Sequence, residues 1–116
     1  MESDRVVYSY FTGRPKDIVS DVLRVISAYT RGDRVRYFKI GITNNPKSRF
    51  QQGYAKLYDK MIVVYRSTSL DNVSDLEREL IEHNRELADN MIAGGGGNYG
   101  DPPYWMYVVI QYRRNR

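Results

Sequence analysis

A chain of 116 residues with no cysteine and a single histidine is long enough to bury one core unaided. It excludes disulfide frameworks, Cys-liganded zinc and thiol nucleophiles, and leaves a His-rich metal site or a triad built on His83 little to work with. Eighteen Lys+Arg against fourteen Asp+Glu give a formal charge of +4 and a pI near 9.4, a balance that tilts the expected partner toward a polyanion.

The N-terminal stretch MESDRVVYSYF contains acidic residues and no long apolar run, so neither a secretory leader nor a membrane span is predicted, and a cytoplasmic location is expected. Within it Arg5 to Phe11 is β-branched and aromatic and ends at Thr12-Gly13-Arg14-Pro15, the pattern of a strand and a turn. Alternation puts Val6, Tyr8 and Tyr10 on one face and Val7, Ser9 and Phe11 on the other. From Pro15 to about Tyr29 the apolar residues Ile18, Val19, Val22, Leu23, Val25 and Ile26 recur at helical spacing behind an N-terminal proline.

Arg34 to Ile42 alternates again, with Phe38, Ile40 and Ile42 against Tyr37, Lys39 and Gly41. Asn45-Pro46 reads as an N-cap and first helical residue, so a short helix from Pro46 to about Gln52 carries Lys47, Arg49 and Phe50. Lys60 to Ser67 is almost continuously apolar, as for a strand covered on both sides. A second long helix is predicted from about Val73 to Leu87, then a glycine-rich loop (Gly94 to Gly97) and a long aromatic strand, Tyr104 to Tyr112. No repeat or linker divides the chain, and residues 1–116 are read as one domain.

One residue of the second long helix is out of place. At about 100° per residue, Val73, Leu76, Leu80, Ile81, Leu87 and Ala88 share an arc, with Glu79, Glu82 and Glu86 opposite. Glu77 and Asn84 fall inside the apolar arc. A carboxylate there needs an arginine partner, a backbone donor or a metal ion.

Phe38 to Phe50, FKIGITNNPKSRF, followed by Asp75 to Glu82, DLERELIE, resembles the GIY-YIG nuclease superfamily, in its branch whose second motif reads K-I-G-x-T. The resemblance runs from about Arg5 to Leu87. It implies an α/β (α+β) fold with a small antiparallel central sheet of three or four strands flanked by helices. The helix at 15–29 then reads as an insertion and residues 94–116 as a C-terminal extension. Position by position, Tyr8 stands for the tyrosine of the first motif and Lys39-Ile40-Gly41 for the second. Arg49 matches the helix arginine and Glu77 the metal-binding glutamate; Gly53 stands where a histidine is common, with Tyr54 beside it.

The activity so implied is metal-dependent endonucleolytic hydrolysis of phosphodiester bonds, in DNA rather than RNA. Arg49 would bind phosphate oxygens through its planar fork. Glu77 would hold Mg²⁺ or Mn²⁺, and Tyr8 or Lys39, on strands expected to be neighbours, would take the proton of the attacking water. Tyr37, Tyr54, Asn84 and Lys47 are supporting contacts. Specificity would come from a partner or a homodimer, and so compact a nuclease suits a phage or other mobile element. Two other readings follow from the same residues: a nucleic-acid-binding or protein-interaction module without turnover, and a scaffold that uses its tyrosines for protein contacts.

Overall fold

The computed structural model describes residues 5–83, 91–92 and 100–114. The elements run β1 (Val6–Phe11), α1 (Pro15–Thr30), β2 (Val35–Thr43), α2 (Pro46–Arg49) continuing into a π-helical turn (Phe50–Tyr54), β3 (Lys60–Ser67), α3 (Leu70–His83), β4 (Met91–Ile92) and β5 (Tyr104–Tyr112). The α+β class is that expected. Asn84, the Gly94 to Gly97 loop and the predicted helix beyond His83 lie outside the described residues.

The sheet has the order β1-β3-β5-β2-β4. Its centre, β3-β5-β2, is antiparallel, but β1 joins β3 and β4 joins β2 in parallel, so the sheet is mixed rather than purely antiparallel. One expectation is corrected here. The strands carrying Tyr8 and Lys39 are not neighbours: β3 and β5 lie between β1 and β2. The C-terminal strand joins the sheet, and β5 is its middle strand, with Met106, Tyr107, Val108, Val109 and Ile110 all buried. A run buried on both faces can only sit where both faces are covered.

Each sheet face has its own core. On one, α1 and α3 pack Val22, Ile26, Val73, Leu76 and Leu80 over Phe38, Ile40, Ile42, Ile62, Val64, Val108 and Ile110. The helix at 15–30 therefore forms half of this layer. On the other, Phe50, Tyr54 and Tyr58 pack over Val6, Met61, Val63, Tyr107 and Val109. The period-two pattern of β2 and β3 sorts residues between the two cores as their alternation requires.

The segment that covers the second face is anchored at both ends. Asn45 Oδ1 accepts the Ser48 amide at 3.2 Å, with Pro46 in the first turn, the expected cap. At the far end the Arg5 guanidinium donates to the carbonyls of Ala55 (2.8 Å), Asp59 (3.1 Å) and Tyr58 and lies 4.8 Å from the centre of the Phe50 ring. The helix runs past Gln52 because Ala55 N–H reaches back to Phe50 O at 2.8 Å, a five-residue span, which widens the turn.

Candidate functional site

The side chains that matter on the second face project from three elements. Tyr107 stands on β5 opposite Gly41 of β2, and a Cβ at position 41 would overlap its hydroxyl and ring. That close approach is what a glycine inside a strand permits. Tyr54, at the end of the π-helical turn, brings its hydroxyl to 2.8 Å from that of Tyr107. Arg49, one turn earlier, reaches both: Nη2 donates to Tyr54 at 3.4 Å and Nε to Tyr107 at 3.5 Å. Its guanidinium carbon lies 5.2 Å from the Tyr54 ring centre and Lys39 Nζ 5.4 Å from the same ring. Tyr58 and Tyr37 extend the aromatic floor, edge to face at 6.0 Å.

Charge and burial act differently on the two hydroxyls. Burial would raise the Tyr54 hydroxyl, but hydrogen bonds from Tyr107 and Arg49 and the charges of Lys39 and Arg49 outweigh it and hold it below the usual tyrosine range. Tyr107 is pushed well above that range, first by burial and then by its bond to Tyr54. Either hydroxyl of the pair can donate to the other; Tyr54, with both cations against its ring, is the one more readily ionised, and Tyr107 would then be the donor. The arginine bonds are near the long limit for hydrogen bonds, and Arg49 itself is exposed, so its fork can turn outward to a phosphate.

The four residues carried over from the family separate. Lys39 and Arg49 meet at Tyr54. Tyr8 lies on the same sheet face but at its β1 edge, 42% exposed, with its ring 5.7 Å from that of Trp105; burial of its hydroxyl side raises it. Glu77 is on α3, which packs on the opposite face, and no contact among the described residues joins it to Lys39, Arg49, Tyr54 or Tyr107. The reason is the layer order: a helix that follows β3 covers the face made by Ile62 and Val64, whereas α2 covers that of Met61 and Val63.

Glu77 has neither an arginine partner nor a backbone donor among the described residues, and burial alone raises its carboxyl. Among the described residues no three His, Asp or Glu side chains gather as a metal-binding group. One carboxylate suffices for Mg²⁺ or Mn²⁺ when substrate oxygens and water complete the shell. The cluster at Arg49, however, offers cations and phenols, which disfavour a divalent ion. The residues present do not fit an ion shared between Glu77 and Arg49.

Tyr54 and Tyr37, expected as supporting contacts, belong to the cluster; Lys47 is exposed on α2 without a side-chain hydrogen bond or ion pair among the described residues. Tyr107 was not singled out from sequence. Its signals are Gly41, a glycine inside a strand, and a tyrosine in the midst of the apolar run Met106 to Ile110. Compared with known proteins, the chain matches no family model, no curated protein and no solved structure. Among the described residues no helix is long and apolar enough to cross a membrane.

Proposed function

We propose that the chain is an endonuclease of GIY-YIG type that hydrolyses phosphodiester bonds in nucleic acid, with DNA as its substrate. The observation that supports this reading is the exposed Arg49 guanidinium held over two hydrogen-bonded tyrosine hydroxyls, with Lys39 beside them. Arg49 binds the non-bridging oxygens and offsets the charge gained at phosphorus. Turning toward the phosphate, it uncovers Tyr54, which in its phenolate form, held by Tyr107 and the Lys39 charge, accepts the proton of the attacking water and becomes the phenol. Tyr107 donates to the Tyr54 oxygen and steadies the phenolate, and the Lys39 ammonium protonates the departing 3′ oxygen. Dependence on Mg²⁺ or Mn²⁺ through Glu77 belongs to the family resemblance, and no step here is routed through the ion.

A second reading, a nucleic-acid-binding module without turnover, is favoured by two observations: Glu77 lies in the other layer and Tyr54 is only 6% exposed. The experiment is cleavage of a labelled single-stranded oligonucleotide and a supercoiled plasmid with Mg²⁺, Mn²⁺ or EDTA. Arg49→Ala is expected to cut about 10²–10³-fold more slowly and Tyr54→Phe about 10²–10⁴-fold. Glu77→Ala and EDTA separate a metal-dependent reaction from one run by the cluster alone. Binding without cutting of any substrate by the wild type would leave the second reading standing and remove the first.

A further inference from the structure

Next to the Arg49 cluster, on the same sheet face, lies a group of side chains that the proposed hydrolysis does not use. Trp105, the chain's sole tryptophan, packs against the second core. Two tyrosines of β1 meet it edge to face, Tyr8 at 5.7 Å and 80°, Tyr10 at 5.1 Å and 85°. Both are large aromatic side chains left open to solvent, at 42% and 43%. Arg66, paired with Trp105 across β3 and β5, sets its guanidinium carbon 5.4 Å from the indole centre. β5 supplies both Trp105 and Tyr107, two residues apart and so about 7 Å along one face of one strand.

A core explanation accounts for Trp105 and for the inner edges of the tyrosines. It does not account for two neighbouring rings on the edge strand β1 held upright by the indole of β5, with a cation stacked on that indole. Rings fixed in this way present flat faces at little entropic cost, and exposed aromatic faces beside arginine are how unpaired bases are gripped. A duplex keeps its base faces stacked on one another and cannot use such a surface. The separation of about 7 Å corresponds to about two nucleotide steps at about 3.4 Å each. That span links Trp105 to Tyr107, the partner of Arg49, so a strand whose base stacks on Tyr8 or Tyr10 against Trp105 continues along β5 toward the Arg49 cluster.

We infer that Tyr8, Tyr10, Trp105 and Arg66 form a stacking platform for unpaired nucleobases next to the Arg49 cluster, so that the preferred ligand is single-stranded or locally unpaired nucleic acid rather than duplex. The inference rests on the proposed nucleic-acid-facing role of this sheet face and narrows its substrate class. The charge pattern favours this occupant over a second copy of the chain: Arg66 stacks on the same indole, and a copy seated on these rings would bring two Arg66 guanidinium groups together, whereas a nucleic acid brings phosphates to them.

Trp105 makes the test direct, because every change in tryptophan emission comes from the platform. A twelve-nucleotide thymidine oligomer and a hairpin duplex with the same number of phosphates are titrated into the full chain at low salt. Expected are quenching by the single strand at concentrations at least about ten-fold below any effect of the duplex, and a loss of affinity on the order of ten-fold for Tyr8→Ala and for Tyr10→Ala. The phenylalanine variants Tyr8→Phe and Tyr10→Phe, which keep the ring, should bind as wild type does. Equal affinity for the two ligands, or alanine variants that bind the oligomer unchanged, overturns the platform even if both are cut. Selective quenching without cleavage supports the platform while removing the nuclease reading. Light scattering that shows a dimer abolished by Tyr10→Ala, with oligomer affinity unchanged, assigns the surface to self-association and overturns the inference.

Discussion

A methyl group at position 41 is the smallest change that reaches the Arg49 cluster. The Tyr107 hydroxyl and ring occupy the space a Cβ would need, so Gly41→Ala must push Tyr107 away from Tyr54 or open the β2–β5 ladder. Overpacking of this kind costs about 1–3 kcal/mol. The expected result is a lower denaturation midpoint together with weaker oligonucleotide binding; unchanged binding would mean that the Tyr54–Tyr107 bond does not position Arg49. Glu77 supplies the pH dependence at this scale. Burial raises its carboxyl, so the folded chain holds that proton more tightly than the unfolded chain. Its contribution to stability is then full below the ordinary glutamate value and declines as pH rises through the raised one. Relative to wild type, Glu77→Gln should gain stability as pH rises above the ordinary glutamate value of about 4.3. A difference that stays constant as pH rises would show that Glu77 ionises without cost.

At the scale of elements, the site depends on a short helical segment that cannot hold itself together. A helix of so few turns is unstable alone, and this one is fixed by Asn45 at its start and Arg5 at its end. Asn45→Ala should cost about 1 kcal/mol through the lost cap. Arg5→Ala leaves the Ala55 and Tyr58 carbonyls without their charged donor and should cost about 1.5–3 kcal/mol. Both are expected to weaken oligonucleotide binding although neither residue reaches the phosphate site, because each loosens the turn that carries Arg49 and Tyr54. Melting curves alongside anisotropy titrations check this, and destabilisation without any loss of binding would separate the segment from the site. The cap at Asn45-Pro46 is legible in the sequence, since its signal is local. The role of Arg5 is not: its three acceptors lie some fifty residues away along the chain.

At the scale of the whole molecule, β5 decides whether there is a fold. Its side chains enter both cores, Met106, Val108 and Ile110 in one and Tyr107 and Val109 in the other. At about 1.5–3 kcal/mol for each large apolar side chain fully buried, their joint loss matches the whole net stability of a small domain, about 5–15 kcal/mol. A chain ending at Pro103 is therefore expected to lack a cooperative thermal transition and dispersed amide resonances. A folded truncated chain would mean that β2 and β3 can pair without β5.

By itself the sequence determined every element except the short β4 and the π-helical turn, the limits of most of the strands, and which residues share a face. Those properties depend on neighbours within a few positions: alternation in β1 and β2, helical spacing in α1 and α3, and proline and asparagine at helix starts. It also brought out Arg49 and Lys39, which do meet. Strand order was left to the tertiary structure, because the pairing of β5 between β2 and β3, and of β1 beside β3, is settled by burial across long separations that no local pattern records. With that order came the rest: Tyr107 in place of Tyr8 beside Arg49, Glu77 in the opposite layer, and Tyr8 turned with Tyr10 to an exposed edge. A residue's chemistry is carried in its own letter, but its companions are chosen by whichever packing buries the most apolar surface.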